Sequence, residues 1–119
     1  MAQHNDLGKK GEQLAIDFLL KKGYTIRDKN WRYQKAEVDI IAQKADILVV
    51  VEVKTRSNTD FGNPQDFVNN KKIKLLVGAI DEYVTTNNLD VEVRFDIIAI
   101  VKNGNQFSIE HLEDAFYHF

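Results

Sequence analysis

The stretch E-V-D-I-I-A at residues 37–42, followed by Q-K-A-D at 43–46 and I-L-V-V-V-E-V-K at 47–54, decides how the rest of the chain is read. Both apolar runs are rich in Val and Ile and are split by a short polar break, the pattern of two strands joined by a turn. Strand side chains alternate faces with a period of two, so Glu37 and Asp39 share one face, and Glu52 and Lys54 share a face of the partner. If the turn leaves an even number of residues unpaired, Asp39 and Glu52 project to the same side of the hairpin. Two carboxylates and an ammonium then crowd together on strands otherwise built for a core.

The second run does not alternate cleanly, which points to a central strand covered on both faces. An ionised carboxylate taken out of water there costs on the order of several kcal/mol unless a cation compensates it. Lys54 can be that cation, which would make the group a structural ion pair. That pairing leaves Asp39 and Glu37 unbalanced, and a divalent metal would neutralise the excess. Asp39 and Glu52 are thus candidate oxygen ligands of a hard cation, Mg2+ or Mn2+, with the Val53 backbone carbonyl also directed at it. Such an ion lowers the pKa of a bound water and neutralises charge on a phosphate, which suits phosphodiester hydrolysis. Lys54 could orient or deprotonate that water, or stabilise developing negative charge. Glycoside hydrolysis also uses two carboxylates, but it has no need of Lys54.

At 119 residues the chain fits one domain, residues 1–119, with room for a real core. The absence of Cys excludes disulfides, thiolate catalysis and Cys-based zinc sites. His4, His111 and His118 show no ligand spacing, so a His-based metal site is not expected. There is no apolar run of about eighteen residues and no apolar signal core, so a cytoplasmic protein without membrane contact is expected. The net charge of −2 hides an asymmetry. Residues 1–74 carry 14 Lys or Arg against 10 Asp or Glu, and residues 75–119 carry 2 against 8. The basic part also holds the acidic cluster, either as scatter on a solvated surface or as a polar binding face.

Outward from the hairpin, Asp6 is a candidate N-cap, and Leu7, Gly11, Leu14, Ala15 and Phe18 recur at helical spacing up to a stop at Gly23, which predicts a helix over 7–22. Gly8 and Gly11, three apart, suggest a face where another backbone comes close. Glu12 is either an exposed helix glutamate or an acid delivered to the cluster. Tyr24 to Tyr33 reads as an extended segment. Its aromatic and basic end, Trp31, Arg32, Tyr33 and Lys35, suits nucleic-acid contact or a core-anchored Trp with charged neighbours.

Thr55 to Gln65 reads as a loop. Asn69 caps a helix whose apolar stripe, Ile73, Leu76, Val77, Ile80, Tyr83 and Val84, runs to Thr86. Lys71, Lys72 and Lys74 lie on its first turns, where the helix dipole favours acids; they serve either a phosphate or a solvated face. A strand follows over 91–101. Asn103-Gly104 then signals a hairpin into Gln106–Ile109, and the end is a helical turn or a docked tail with Phe116 and Phe119 over the core.

Glu12 on an opening helix, E-V-D at 37–39 and E-V-K at 52–54 resemble the metal-binding signature of the PD-(D/E)xK, or restriction-endonuclease-like, superfamily, in a layout similar to the Holliday-junction resolvases of archaea. Nearly the whole chain is similar to the YraN-like family of bacterial proteins. The matching pieces are G-K-K-G-E at 8–12, N-W-R at 30–32, E-V-D-I-I-A at 37–42, V-E-V-K-T-R at 51–56, F-G-N-P at 61–64, K-K at 71–72, R-F-D at 94–96 and A-F at 115–116. Val38 stands where the superfamily often has Pro, and Ala36 where the family usually has Gly.

The resemblance implies an α/β, restriction-endonuclease-like three-layer core, a mixed central β-sheet flanked by helices in the order α-β-β-β-α-β-β. By carry-over it implies that Asp39 and Glu52 bind metal, that Lys54 is catalytic, and that Glu12 is an accessory acid acting directly or through water. The expected activity is a Mg2+- or Mn2+-dependent nuclease acting on DNA, including branched or damaged DNA, with Arg32, Lys35, Arg56, Lys71 and Lys72 as phosphate contacts. A homodimer is left open. The alternatives are a catalytically inactive nucleic-acid-binding module that kept the fold, and a partner-binding domain whose carboxylates are only ion-paired.

Overall fold

The computed structural model describes residues 2–57 and 69–115. Its elements are α1 (Ala2–Lys21), β1 (Thr25–Tyr33), β2 (Ala36–Lys44), β3 (Ile47–Ser57), α2 (Asn70–Thr86), β4 (Glu92–Asn103) and β5 (Gln106–Leu112). The strands form one sheet in the order β1-β2-β3-β4-β5. The β3–β4 pair is parallel and the other three are antiparallel. A parallel neighbour cannot be reached by a tight turn, and α2 lies within the crossover that links β3 to β4.

Each helix covers one face, giving three layers. Ala15 and Leu19 of α1 bury with Ile40, Ala42, Val49, Val51, Ile98 and Ile100. Ile73, Leu76, Ala79, Ile80 and Tyr83 of α2 bury with Val38, Ile41, Leu48, Val50, Phe95 and Ile97. Leu48 to Val51 are buried on alternate faces, which is why that run shows no polar alternation. Close packing on the α1 side is fixed by Gly11, where a Cβ would overlap the Thr55 side chain. Gly8 meets no such neighbour.

Several boundaries differ from the sequence reading. The first helix begins at Ala2, so Asp6 lies inside it and does not cap it. The hairpin turn is only Ala45-Asp46, because Gln43 and Lys44 pair with Leu48 and Ile47; Ala45 takes the left-handed conformation, φ 54°. Thr55 to Ser57, expected in a loop, extend β3 because β4 continues alongside as far as the Ser57–Lys102 pair. The last described strand runs on to Leu112, opposite Ile97, and a turn follows at Glu113-Asp114. The remainder of the expected loop, F-G-N-P at 61–64, Phe116 and Phe119 lie outside the described residues. No helix among the described residues is long and apolar enough to cross a membrane.

Candidate metal centre

The acids sit where two strands part. The β2–β3 ladder runs from Lys44–Ile47 to Ile40–Val51 and stops, while β2 stays paired to β1 as far as Ala36 and β3 stays paired to β4 as far as Ser57. One step past the last rung, the register sets Asp39 opposite Glu52. A fork of this kind strands backbone N–H groups, and a buried unpaired donor is costly. The two carboxylates take them. Asp39 Oδ2 accepts the Val53 N–H at 2.8 Å, and Glu52 Oε2 accepts the Asp39 N–H at 3.4 Å. Within one strand residue the N–H and C=O leave toward the same edge, so the Val53 carbonyl also faces the fork.

A kink places Asp39. Val38 packs on the α2 side and Ile40 on the α1 side, although they are two residues apart. The alternation thus breaks at Asp39. In the β1–β2 register Asp39 faces Asn30, a non-glycine residue with φ 52°. The Asn30 side chain donates to Glu12 Oε1 at 2.8 Å and so ties α1 to the kink. Asp39, Glu12, Glu37, Val53 and Lys54 line one cleft of about 480 Å³ together with Lys9 and Asn30.

Glu52 is set further back. Its side chain is 7% exposed, and its ion-pair partner is Lys72 of α2, with Nζ 3.1 Å from Oε1. The structural pairing weighed for Lys54 therefore falls to Lys72; Lys54 lies two residues on, at the cleft wall. Burial first, and then the neighbouring Asp39 charge, push the Glu52 carboxyl up to about 7 despite Lys72. Burial also raises Asp39, aided by Glu12 and Glu37 and opposed by the Val53 N–H and Lys72. Against the Asp39–Glu52 pair stands the Lys72 ammonium, while Arg32 pairs with Glu37 and Lys9 and Lys54 line the cleft beside Glu12 and Asp39.

Among the described residues no set of three or more Asp, Glu or His side chains is arranged to hold a metal. The donors are two carboxylates and a carbonyl. That set fits a hard cation such as Mg2+, which keeps several waters and binds through one or two carboxylates.

The basic residues divide. Lys35, Lys71 and Lys72 gather with Asn69 around a second cleft of about 360 Å³, separated from the first by Glu37, which lines both. Arg32 is exposed and pairs with Glu37 at 3.1 Å. Arg56, half-buried on β3, lines neither cleft. Trp31 takes the core role: it packs edge-on against Tyr83 at 5.2 Å and stacks with Tyr33.

Sequence reasoning missed Asn30, whose left-handed backbone no spacing rule reveals. It also missed a second buried polar centre. Asp96, 0% exposed, accepts from Arg94 Nε and Nη2 at 2.9 Å and from the Asp114 N–H at 3.0 Å, with His111 Nε2 at 2.7 Å. Lys22 donates to His111 Nδ1 at 2.9 Å. The available signal was R-F-D, which puts Arg94 and Asp96 on one face of a strand.

A family model described as "Uncharacterised protein family UPF0102" matches residues 11–100. The chain is 66% identical over 119 residues to a UPF0102 protein of Flavobacterium psychrophilum, covering all of both chains. It is 61% identical over 123 residues to one of Flavobacterium johnsoniae, again covering all of both. A relative in Phocaeicola vulgatus is 50% identical over 98% of this chain and 97% of its own.

Proposed function

This chain belongs to the uncharacterised protein family UPF0102, and we propose that it is a metal-dependent nuclease of restriction-endonuclease type that hydrolyses phosphodiester bonds in DNA, branched or damaged DNA included. The reading is carried by the reciprocal placement of Asp39 and Glu52 at the β2–β3 fork, where a half-buried acid lining a cleft meets a buried one whose carboxyl is pushed up to about 7.

Asp39, Glu52 and the Val53 carbonyl would hold Mg2+ or Mn2+, with Glu12 acting directly or through water. When bound, the ion supplies Lewis acidity and a more acidic water. Lys54 stands on the cleft wall beside Asp39 and Val53, placed to orient the attacking water or to meet charge building on the phosphate. Lys35 and Lys71 offer phosphate contacts in the adjoining cleft. Incubation of the protein with branched, single-stranded and duplex DNA plus Mn2+ tests this; cleavage lost in Glu52→Gln supports it, and absence of Glu52-dependent cleavage overturns it.

The Lys72–Glu52 ion pair favours a second reading, a nucleic-acid-binding module in which that pair is permanent. It requires salt-sensitive DNA binding that survives Asp39→Ala and needs no divalent ion.

A further inference from the structure

Lys72 belongs to two places at once. Its ammonium is the ion-pair partner of Glu52, at 3.1 Å, and its side chain also lines the basic cleft with Lys35, Lys71 and Asn69. The pair is lopsided: the Glu52 side chain is 7% exposed and that of Lys72 is 46% exposed. The carboxylate is fixed by the sheet, whereas the ammonium sits on a four-carbon stem in partial contact with water. The backbone under it is already committed, because Asn69 Oδ1 accepts the Lys72 N–H at 2.9 Å and caps α2. With no acid in the first turn of α2, the positive end of the helix dipole and Lys71 both press on the Lys72 charge. Glu52 holds it there against that repulsion. Glu37 lines both clefts, so the Asp39 cleft and the basic cleft adjoin, and Lys72 links Glu52, behind them, to the basic one.

We propose that Lys72 is an exchangeable counter-ion: it neutralises Glu52 while no divalent cation is bound, gives Glu52 up when one binds, and turns its ammonium to a substrate phosphate in the Lys35–Lys71 cleft. Metal binding and substrate binding are thereby coupled through one side chain. This inference rests on the metal-dependent reading above and assigns Lys72 a positioning role that neither Lys71 nor Lys35 shares. Lys71 is a matched control, since it occupies the same helical turn and the same cleft.

The test is Mn2+ titration calorimetry on the wild type, Lys72→Met and Lys71→Met, followed by binding of a labelled DNA duplex with and without Ca2+. Removal of the competing ammonium is expected to tighten Mn2+ binding about tenfold in Lys72→Met, against less than about threefold in Lys71→Met. DNA binding by Lys72→Met should match the wild type without Ca2+ and fall about tenfold with it, whereas Lys71→Met should weaken DNA binding alike in both conditions. Equal Mn2+ gains in the two variants, or equal loss of DNA binding with and without Ca2+, would overturn the exchange while leaving the metal site intact. Mn2+ binding absent from all three proteins would instead overturn the metal-dependent reading, and the exchange with it. Lys72→Arg keeps the charge and should bind Mn2+ like the wild type; a tenfold gain there would also count against the exchange.

Discussion

Two acids on neighbouring strands, buried to nearly the same degree, meet opposite fates. Asp96 of β4 lies in register with Val51, and Glu52 of β3 lies in register with Ile97, a single step away along the same parallel ladder. Asp96 is enclosed by donors: a two-pronged Arg94, His111 and the Asp114 N–H. Burial pushes its carboxyl up, but those partners overcome it and hold Asp96 below the usual carboxylate range. Glu52 has one half-exposed lysine and another acid beside it, and it ends up near 7. A carboxylate that is fully compensated strengthens a fold. One that is left short of positive charge weakens it until a cation arrives, and such sites are where function is sought.

The contrast breaks most visibly at Asp96. Asp96→Ala takes away the buried acceptor shared by Arg94, His111 and the Asp114 N–H, although the partly exposed Arg94 keeps Tyr24 and Glu113. It is expected to cost about 3 kcal/mol of unfolding free energy, read by urea denaturation. A loss under about 1 kcal/mol would remove the distinction between the two centres.

The next largest effect has the opposite sign. The unfolded Glu52 ionises near 4.5 and the folded one near 7, so the folded state is penalised as pH rises through that window, and the penalty is complete above it. Without divalent ions, Glu52→Gln should therefore stabilise the protein at pH 8 by up to about 3 kcal/mol, the Lys72 pair being already counted in that shift. The gain should fade as the pH falls toward 4.5. Asp96, whose pKa is lowered, contributes stability that is present above its unfolded value and lost in acid. Denaturation curves across pH should thus bend in different windows for the two variants.

Addition of Mn2+ should raise the melting temperature of the wild type, by the equivalent of about 2.7 kcal/mol when free ion reaches a hundred times its Kd. Asp39→Asn and Glu52→Gln should abolish that response, and Asp96→Asn should keep it. The smallest effect is expected at Lys72. Lys72→Met should change stability at neutral pH by less than about 1 kcal/mol, because Glu52 can take up a proton there in place of its lost partner. Arg94→Met should cost several times more.

These two centres also mark how far the chain could be read as text. The two strands of the hairpin were legible from their apolar runs, but the register was not. Gln43 and Lys44, part of the polar break, pair with Leu48 and Ile47, and it is this two-residue turn that makes the unpaired number even. Given that turn, E-V-D and E-V-K bring Asp39 opposite Glu52, and the break in alternation at Asp39 accompanies its place in the cleft wall. The α2 stripe and its Asn69 cap were legible, since helical periodicity and capping act within a few residues.

What the tertiary structure alone decided was the distribution of counter-charge. Lys72, twenty positions beyond Glu52 and carried on the crossover helix, displaced the nearer Lys54 as its partner. His111, on the far edge of the sheet, closed around Asp96. The Asn30 kink turned Asp39 into the cleft and brought Glu12 with it. Ion pairs are chosen by which long side chains packing brings to a desolvated spot, and packing of α2 and β5 is settled by apolar faces that say nothing about charge. Sequence spacing therefore set which acids could meet across the hairpin, and the folding of distant elements onto them set where they face and what each one is worth.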